Sequence, residues 1–216
     1  TPESIQRKIK ASPFAKQTSG KVRLMVMTNS TYDGLCYNVD GIRKQLGNAV
    51  DVHHFDEAWY AHANFHEFYD GYHAISSTHP ARSPHAITFA THSTHKLLAA
   101  LSQASLLHIR DGRSAIPHSR FNESYMLQAS TSPFYPIIVS NDITAAMMDG
   151  PGGPALTGES IAEAVAFRQT MGRVHRQFAA KKEWFFRTWN PDFIKGKGGK
   201  KVRFEEASPD QLATDQ

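Results

Sequence analysis

Cysteine is almost absent: Cys36 stands alone among 216 residues. That excludes an internal disulfide and any zinc site built on several thiolates, and it accords with a reducing compartment such as the cytoplasm. Long apolar runs are missing too. Nothing nears the roughly 18 consecutive residues that a membrane-spanning helix demands, so no membrane partner is expected. The start shows no charged-then-apolar leader, and no internal repeat is visible. Charge of one sign is in modest excess, a formal +4, yet no basic stripe runs between aromatics. Lys8, Lys10, Lys16, Lys21 and Arg23 load one end, and Lys195, Lys197, Lys200, Lys201 and Arg203 the other. Solvated faces and tails explain that distribution better than a phosphate-binding surface, so no nucleic-acid partner is expected.

What is there is an ordinary globular composition, 40% hydrophobic, 11% aromatic and 20% charged, with length enough for one sizeable core. Thr1 without Met, and the polar Ser208-Pro209-Asp210-Gln211 near the close, lead us to expect a fragment of a longer chain.

Thr1-Pro2-Glu3 reads as an N-cap followed by Pro in the first turn, and it predicts a helix to Ala11, ahead of Pro13. The apolar run Val22 to Met27 predicts a strand, broken by Asn29 to Gly34. A helix over Asn38 to Leu46, a strand over Val50 to Phe55, an irregular stretch to Pro84 and a strand over Ala86 to Ala90 follow, then a strand over Ser105 to Ile109. Helices are expected over Asn122 to Gln128, Pro136 to Met148 and Gly158 to Phe178. Pro151-Gly152-Gly153-Pro154 should break the last two apart, and Gly196 to Lys201 should mark a flexible exit. Met147, Met148 and the apolar positions of the last helix read as core. Cys36 reads as packing, and Trp184 to Phe186 with Trp189 as a patch that docks on an absent neighbour. Alternating strands and helices define an α/β class with a mostly parallel sheet flanked by helices.

In such sheets chemistry collects just past the carboxyl ends of strands. Lys96 lies in one such loop, between Ser93-Thr94-His95 and the apolar Leu97-Leu98-Ala99-Ala100. A lysine in a water-poor setting becomes a nucleophile toward carbonyls and can hold an aldehyde cofactor; the alternative is a lysine snorkelling at a helix start. Ser93 could donate to a phosphate or hold the loop, and His95 could lie beside a bound ring. Asp56 ends another strand and is followed by Glu57 and the small Ala58. A carboxylate there could keep a pyridine nitrogen protonated, while capping or turn formation is the competing role.

The stretch from Thr91 to Ser105 resembles the pyridoxal phosphate attachment signature of the bacterial ornithine/lysine/arginine decarboxylases. Thr28 to Gly34 with Cys36-Tyr37-Asn38, Phe55 to Trp59, Phe121-Asn122-Glu123, Ser130 to Pro133 and Met147 to Gly150 are similar to that family in the same order and spacing. The resemblance implies an aspartate aminotransferase-like (fold type I) enzyme, cytoplasmic, built as a homodimer that often assembles into decamers. It implies that residues 1–194 are the later half of the large cofactor domain, and that 195–216 form a flexible polar segment leading toward an absent C-terminal domain.

The same resemblance makes Lys96 the Schiff-base lysine and Asp56 the pyridine-nitrogen partner. Ala58 and Trp59 border the ring, Ser93 and His95 stand beside phosphate and ring, and Ser130 reaches the phosphate of the neighbouring subunit. Lys96 and His95 are candidate proton donors. The cofactor implied is pyridoxal 5'-phosphate and the reaction is decarboxylation of a basic amino acid. Asp56 to Tyr60, Ala90-Thr91-His92 and the run Arg110 to Met126 look most like the arginine branch, with lysine or ornithine as alternatives. Alone, these 216 residues are expected to be inactive. Two readings from other classes compete. One is a truncated scaffold; the other is a His-rich metal protein using His62-x-x-x-His66 and His92-x-x-His95, although no His-Glu-x-x-His occurs and no dedicated metal site is expected.

Overall fold

A computed structural model describes residues 1–14, 22–76, 79–183 and 186–214. The chain divides into two compact units, residues 1–153 and 154–216.

In the first unit, helix α1 (Pro2–Ala11) is capped by Thr1, whose hydroxyl accepts the Ser4 N–H at 3.3 Å. Strand β1 (Val22–Thr28) leads into α2 (Val39–Leu46), where Asn38 caps by accepting the Gly41 N–H at 2.6 Å. Gly47 closes α2 at a φ of 49°, a value that glycine adopts without a Cβ penalty. Strand β2 (Val50–Asp56) then pairs parallel to β1, completing a βαβ crossover.

Among its described residues the long connection that follows holds two single-turn 3₁₀ helices, Ala63–Phe65 and Glu67–Tyr69. Strand β3 (Ile87–His92) pairs parallel to β2, and β4 (Leu106–Arg110) pairs antiparallel to β3, in the spatial order β1-β2-β3-β4. Only the single-turn helix α3 (Thr94–Leu97) separates β3 from β4, too little for a crossover, so the chain returns antiparallel. The sheet is therefore mostly parallel, as expected, with one reversed edge.

Register decides the core. Met27, Phe55 and Ala90 are neighbours across three strands and face Val39 of α2 with Ala74 and Ile75. Phe55 is wholly buried, a stabilisation of about 2 to 3 kcal/mol for a ring that size. Two more helices, α4 (His118–Met126) and α5 (Tyr135–Met148), complete the unit. α5 turns Ser140, Thr144 and Met148 inward and leaves Met147 47% exposed, so only one of the two expected core methionines is core.

The second unit holds most of α6 (Gly152–Ala179), an antiparallel hairpin of β5 (Phe193–Lys195) with β6 (Lys201–Arg203), and α7 (Pro209–Thr214). Three expectations need correction here. The Pro-Gly-Gly-Pro breaker lies mostly inside α6, which starts at Gly152, because a proline in a first turn forfeits no helical hydrogen bond.

The described residues of the expected 195–216 exit, up to 214, contain structure and are not a wholly flexible exit. Ile194, Phe204 and Ala207 bury one another, with Val202 and Leu212 packed alongside, once glycines at positive φ turn the chain. Gln169 Nε2 ties this cluster to α6 by donating to the Phe204 and Ala207 carbonyls at 3.1 and 2.8 Å. Finally, Ile161, Val165, Met171, Val174 and Phe178 are half-buried and Phe167 is exposed, so this helix does not supply a closed core. Phe186 and Trp189 are exposed, while Trp184 and Phe185 lie outside the described residues.

Candidate active site

Asp56 is the last residue of β2 and sits opposite Thr91 of β3 in the ladder. Its Oδ1 accepts the Ala58 N–H at 3.1 Å, so the turn-forming role is realised. No other hydrogen bond from the described residues reaches its carboxylate. Two residues earlier on the same face, His54 Nε2 meets Thr91 Oγ at 2.7 Å.

Beyond β3, Ser93 stands at the N-cap of α3 without a capping side-chain bond, and its carbonyl accepts the Lys96 N–H at 3.0 Å. Lys96 Nζ lies 4.9 Å from the Trp59 ring centroid, over its face, a cation–π arrangement that joins the two turns. Tyr32 meets the same indole edge-on at 5.4 Å. His95 is half-buried and its Nδ1 lies 2.7 Å from the Ala104 carbonyl. A carbonyl only accepts, so Nδ1 carries a proton and Nε2 is the ring nitrogen left for other contacts.

The expected water-poor setting is not built from these residues. Lys96 is exposed and Leu97 is 45% exposed, because a one-turn helix at the end of a sheet has no layer above it. α3 is nevertheless anchored from below: Thr94 donates its hydroxyl to Asn141 Oδ1 at 2.6 Å, and Ser140 Oγ accepts the Leu101 N–H at 3.1 Å. A cleft of about 460 Å³ opens beside Trp59 and Leu97, with Tyr32, Cys36 and Tyr69 in its wall. Burial pushes the Cys36 thiol up, against any nucleophilic role, and burial likewise raises the Tyr60 and Tyr69 phenols.

Ser130 is exposed and is not drawn into this cluster by a hydrogen bond; its Oγ accepts the Ser132 N–H of its own turn at 3.0 Å. The metal reading loses its geometry. His62 and His66 flank the one 3₁₀ turn Ala63–Phe65 instead of sharing an α-helical face: His66 Nδ1 accepts the Phe68 N–H, and His62 packs edge-on against Tyr60 and Tyr69. His92 is committed to Glu57 and His95 to Ala104. Among the described residues no group of three or more potential ligands is assembled.

Sequence reasoning missed Asn29, Glu57 and His92. Glu57 is wholly buried, accepting from Asn29 Nδ2, the Ala74 N–H and His92 Nε2. The only signal was an acidic residue amid Phe55, Ala58, Trp59 and Tyr60, which says that a partner exists but not which one.

A primary amine, a carboxylate with one open oxygen and an aromatic face suit a flat aldehyde with a basic ring nitrogen. They crown the carboxyl ends of adjacent parallel strands in an α/β domain. The chain belongs to the family described as Orn/Lys/Arg decarboxylase, major domain, which matches residues 1–214. Lysine decarboxylase LdcA of Pseudomonas aeruginosa is 50% identical over 195 residues, 90% of this chain and 26% of that protein. The biodegradative arginine decarboxylase of Escherichia coli K12 is 47% identical over 215 residues, 99% of this chain and 28% of that one. Among solved structures, lysine decarboxylase A from Pseudomonas aeruginosa superposes with a TM-score of 0.77 at 49% identity, covering 86% of this chain and 25% of its own. The constitutive lysine decarboxylase of Escherichia coli gives 0.74 at 40%, covering 88% and 25%. The chain thus spans about a quarter of the length of these relatives. No helix among the described residues is long and apolar enough to cross a membrane.

Proposed function

We propose that this chain supplies the lysine-bearing part of a cytoplasmic, homodimeric, pyridoxal phosphate-dependent decarboxylase of basic amino acids. The observation that carries the reading is the meeting of two turns, one after Asp56 at the end of β2 and one after β3, with Lys96 Nζ over the Trp59 ring, in a chain of this family. Lys96, Asp56, Ala58, Trp59, Ser93 and His95 would hold the cofactor, and Ser130 would serve the neighbouring subunit.

Pyridoxal phosphate, when bound, supplies an electron-poor ring that accepts the electron pair left as carbon dioxide departs. Lys96 offers the amine that takes the cofactor aldehyde. The second carboxylate oxygen of Asp56 is free to hold a proton on a ring nitrogen. His95 is held by its Nδ1–H on the Ala104 carbonyl, which fixes the ring beside Lys96 in the chain. Lys96 and His95 are the candidate groups to return a proton to the substrate carbon.

Arginine is the first substrate assignment, supported by the likeness of Asp56 to Tyr60 and of the Arg110–Met126 run to the arginine branch and by 47% identity to an arginine decarboxylase over nearly the whole chain. Lysine is the second, supported by 50% identity to a lysine decarboxylase.

The test measures carbon dioxide release by the full-length enzyme from arginine, lysine and ornithine side by side, together with a Lys96→Ala variant. Lys96→Ala should lose the visible absorbance of the lysine-bound cofactor and slow turnover by at least about a thousandfold. A variant that kept both colour and turnover would sink the assignment. Lysine outrunning arginine would replace the substrate, and no release from any of the three would favour the scaffold reading.

A further inference from the structure

Glu57 follows Asp56 directly, yet the proposed chemistry leaves it idle. Its carboxylate is withdrawn from water, 0% exposed, which is costly unless its lone pairs are filled. Three N–H donors fill them. Oε1 accepts from Asn29 Nδ2 at 3.0 Å and from the Ala74 N–H at 2.8 Å, and Oε2 lies 2.9 Å from His92 Nε2. Because a carboxylate oxygen only accepts, Nε2 of His92 carries the proton.

The donors come from three segments: the loop after β1, the irregular stretch over the core, and the end of β3, where His92 leads through Ser93 into α3 and Lys96. Two backbone bonds run alongside, Glu57 N–H to the Thr91 carbonyl at 3.0 Å and Asn29 N–H to the Asp56 carbonyl at 2.7 Å. Among the described residues, the Glu57–His92 bond is the side-chain hydrogen bond that joins the Asp56–Trp59 turn to the Thr91–Lys96 segment.

We propose that Glu57 and His92 are positioning residues whose buried hydrogen bond sets how Lys96 and Asp56 together present themselves to the cofactor. The inference rests on the functional reading above. A proton-transfer amine and a ring-nitrogen carboxylate work as a pair only if their two turns keep one relative placement, and small misplacements of reacting groups cost rate steeply. The other flank of His92 touches the His108 ring, 4.9 Å away, and borders a cavity of about 340 Å³ that also meets Leu98, Leu106 and Met148. That space lets a side chain of similar size replace His92 without overpacking.

The experiment uses the full-length holoenzyme and reads cofactor content, visible circular dichroism of the bound cofactor, kcat and KM. Glu57→Gln keeps an oxygen for Asn29 and Ala74 but turns an N–H toward the N–H of His92. It should lower kcat roughly tenfold with KM within about twofold, and weaken the dichroic band at unchanged cofactor content. His92→Leu should do the same, whereas His92→Gln, which restores an N–H donor, should recover about half of the wild-type kcat.

Wild-type kcat and dichroism in Glu57→Gln and His92→Leu would overturn the inference, and so would equal losses in His92→Gln and His92→Leu. A lowered thermal midpoint with dichroism and kcat intact would also overturn it, since that is what a purely structural bond predicts. Should Glu57→Gln fail to fold, the two His92 variants carry the same test. Lys96→Ala keeps the failures distinct: colour and turnover retained there remove the functional reading, while their loss beside wild-type Glu57→Gln removes only this inference.

Discussion

The two faces of the four-stranded sheet differ sharply in what covers them. On one, His53, Phe55, Thr88 and Ala90 are completely buried beneath α2 and the Ala74 region. Arg43 finds partners there inside the protein: its guanidinium reaches the Ala74 carbonyl, Thr88 Oγ and Asp40. On the other face, Leu24 and Val26 are 51% and 60% exposed, and His54, Asp56, Phe89 and Thr91 are half-buried. Register alone assigns them, since Val26, His54 and Phe89 are ladder neighbours one residue out of phase with Met27, Phe55 and Ala90. Parallel strands are normally covered on both sides. Stability is thus vested in the closed face, while Asp56 is displayed on the open one.

The comparison breaks most readily at Phe55. Phe55→Ala should cost about 3 to 5 kcal/mol, because the ring is fully enclosed and its neighbours Ala74 and Ala90 are too small to collapse into the void. Urea unfolding of the variant checks this. A loss under about 1 kcal/mol would mean that the closed face is no better packed than the open one.

A smaller effect follows from His53. Burial, then the positive Arg43, pushes its imidazole down to about 4, and neither ring nitrogen has a hydrogen-bond partner among the described residues. The folded protein therefore prefers neutral His53. Above the ordinary histidine value both states are neutral and pH has no leverage here. As pH falls from about 6.5 toward 4 the unfolded chain takes up a proton that the folded one refuses, and stability drops by about 3 kcal/mol before levelling off. His53→Leu should flatten that part of the urea-midpoint profile; an unchanged slope would assign the acid sensitivity to other groups.

Much of this was legible in the sequence. Val22 to Met27, a short apolar run before a breaker, and the segments Val50 to Phe55 and Ala86 to Ala90 were expected as strands, and each became one within two residues of its expected ends. Lys96 and Asp56 were nominated from local chemistry and family likeness, and the ladder brought their loops together. The Glu57–His92–Asn29 set was not legible, because its members fall in separate segments and only strand register makes them neighbours. The reversed β4 escaped because an apolar run carries no direction. The β5–β6 hairpin escaped for a different reason: glycine and lysine read as an exit until Ile194 and Phe204 are seen to pack across it.

The smallest expected effect probes the open face itself. Val26→Thr exchanges one methyl for a hydroxyl on a side chain that is 60% exposed, so little apolar contact is lost and the new hydroxyl stays hydrated. Threonine keeps the β-branched shape that suits a strand, and the change in stability of this chain should stay within about 0.5 kcal/mol. The same substitution in a longer protein that carries this chain sharpens the contrast. A layer packed over β1 would strand the hydroxyl and raise the cost to about 1 to 3 kcal/mol, the penalty for a buried polar group without a partner. Equal small costs in both proteins would show that this face is designed to stay wet, whereas a large cost in the 216-residue chain would show that it closes on something in solution.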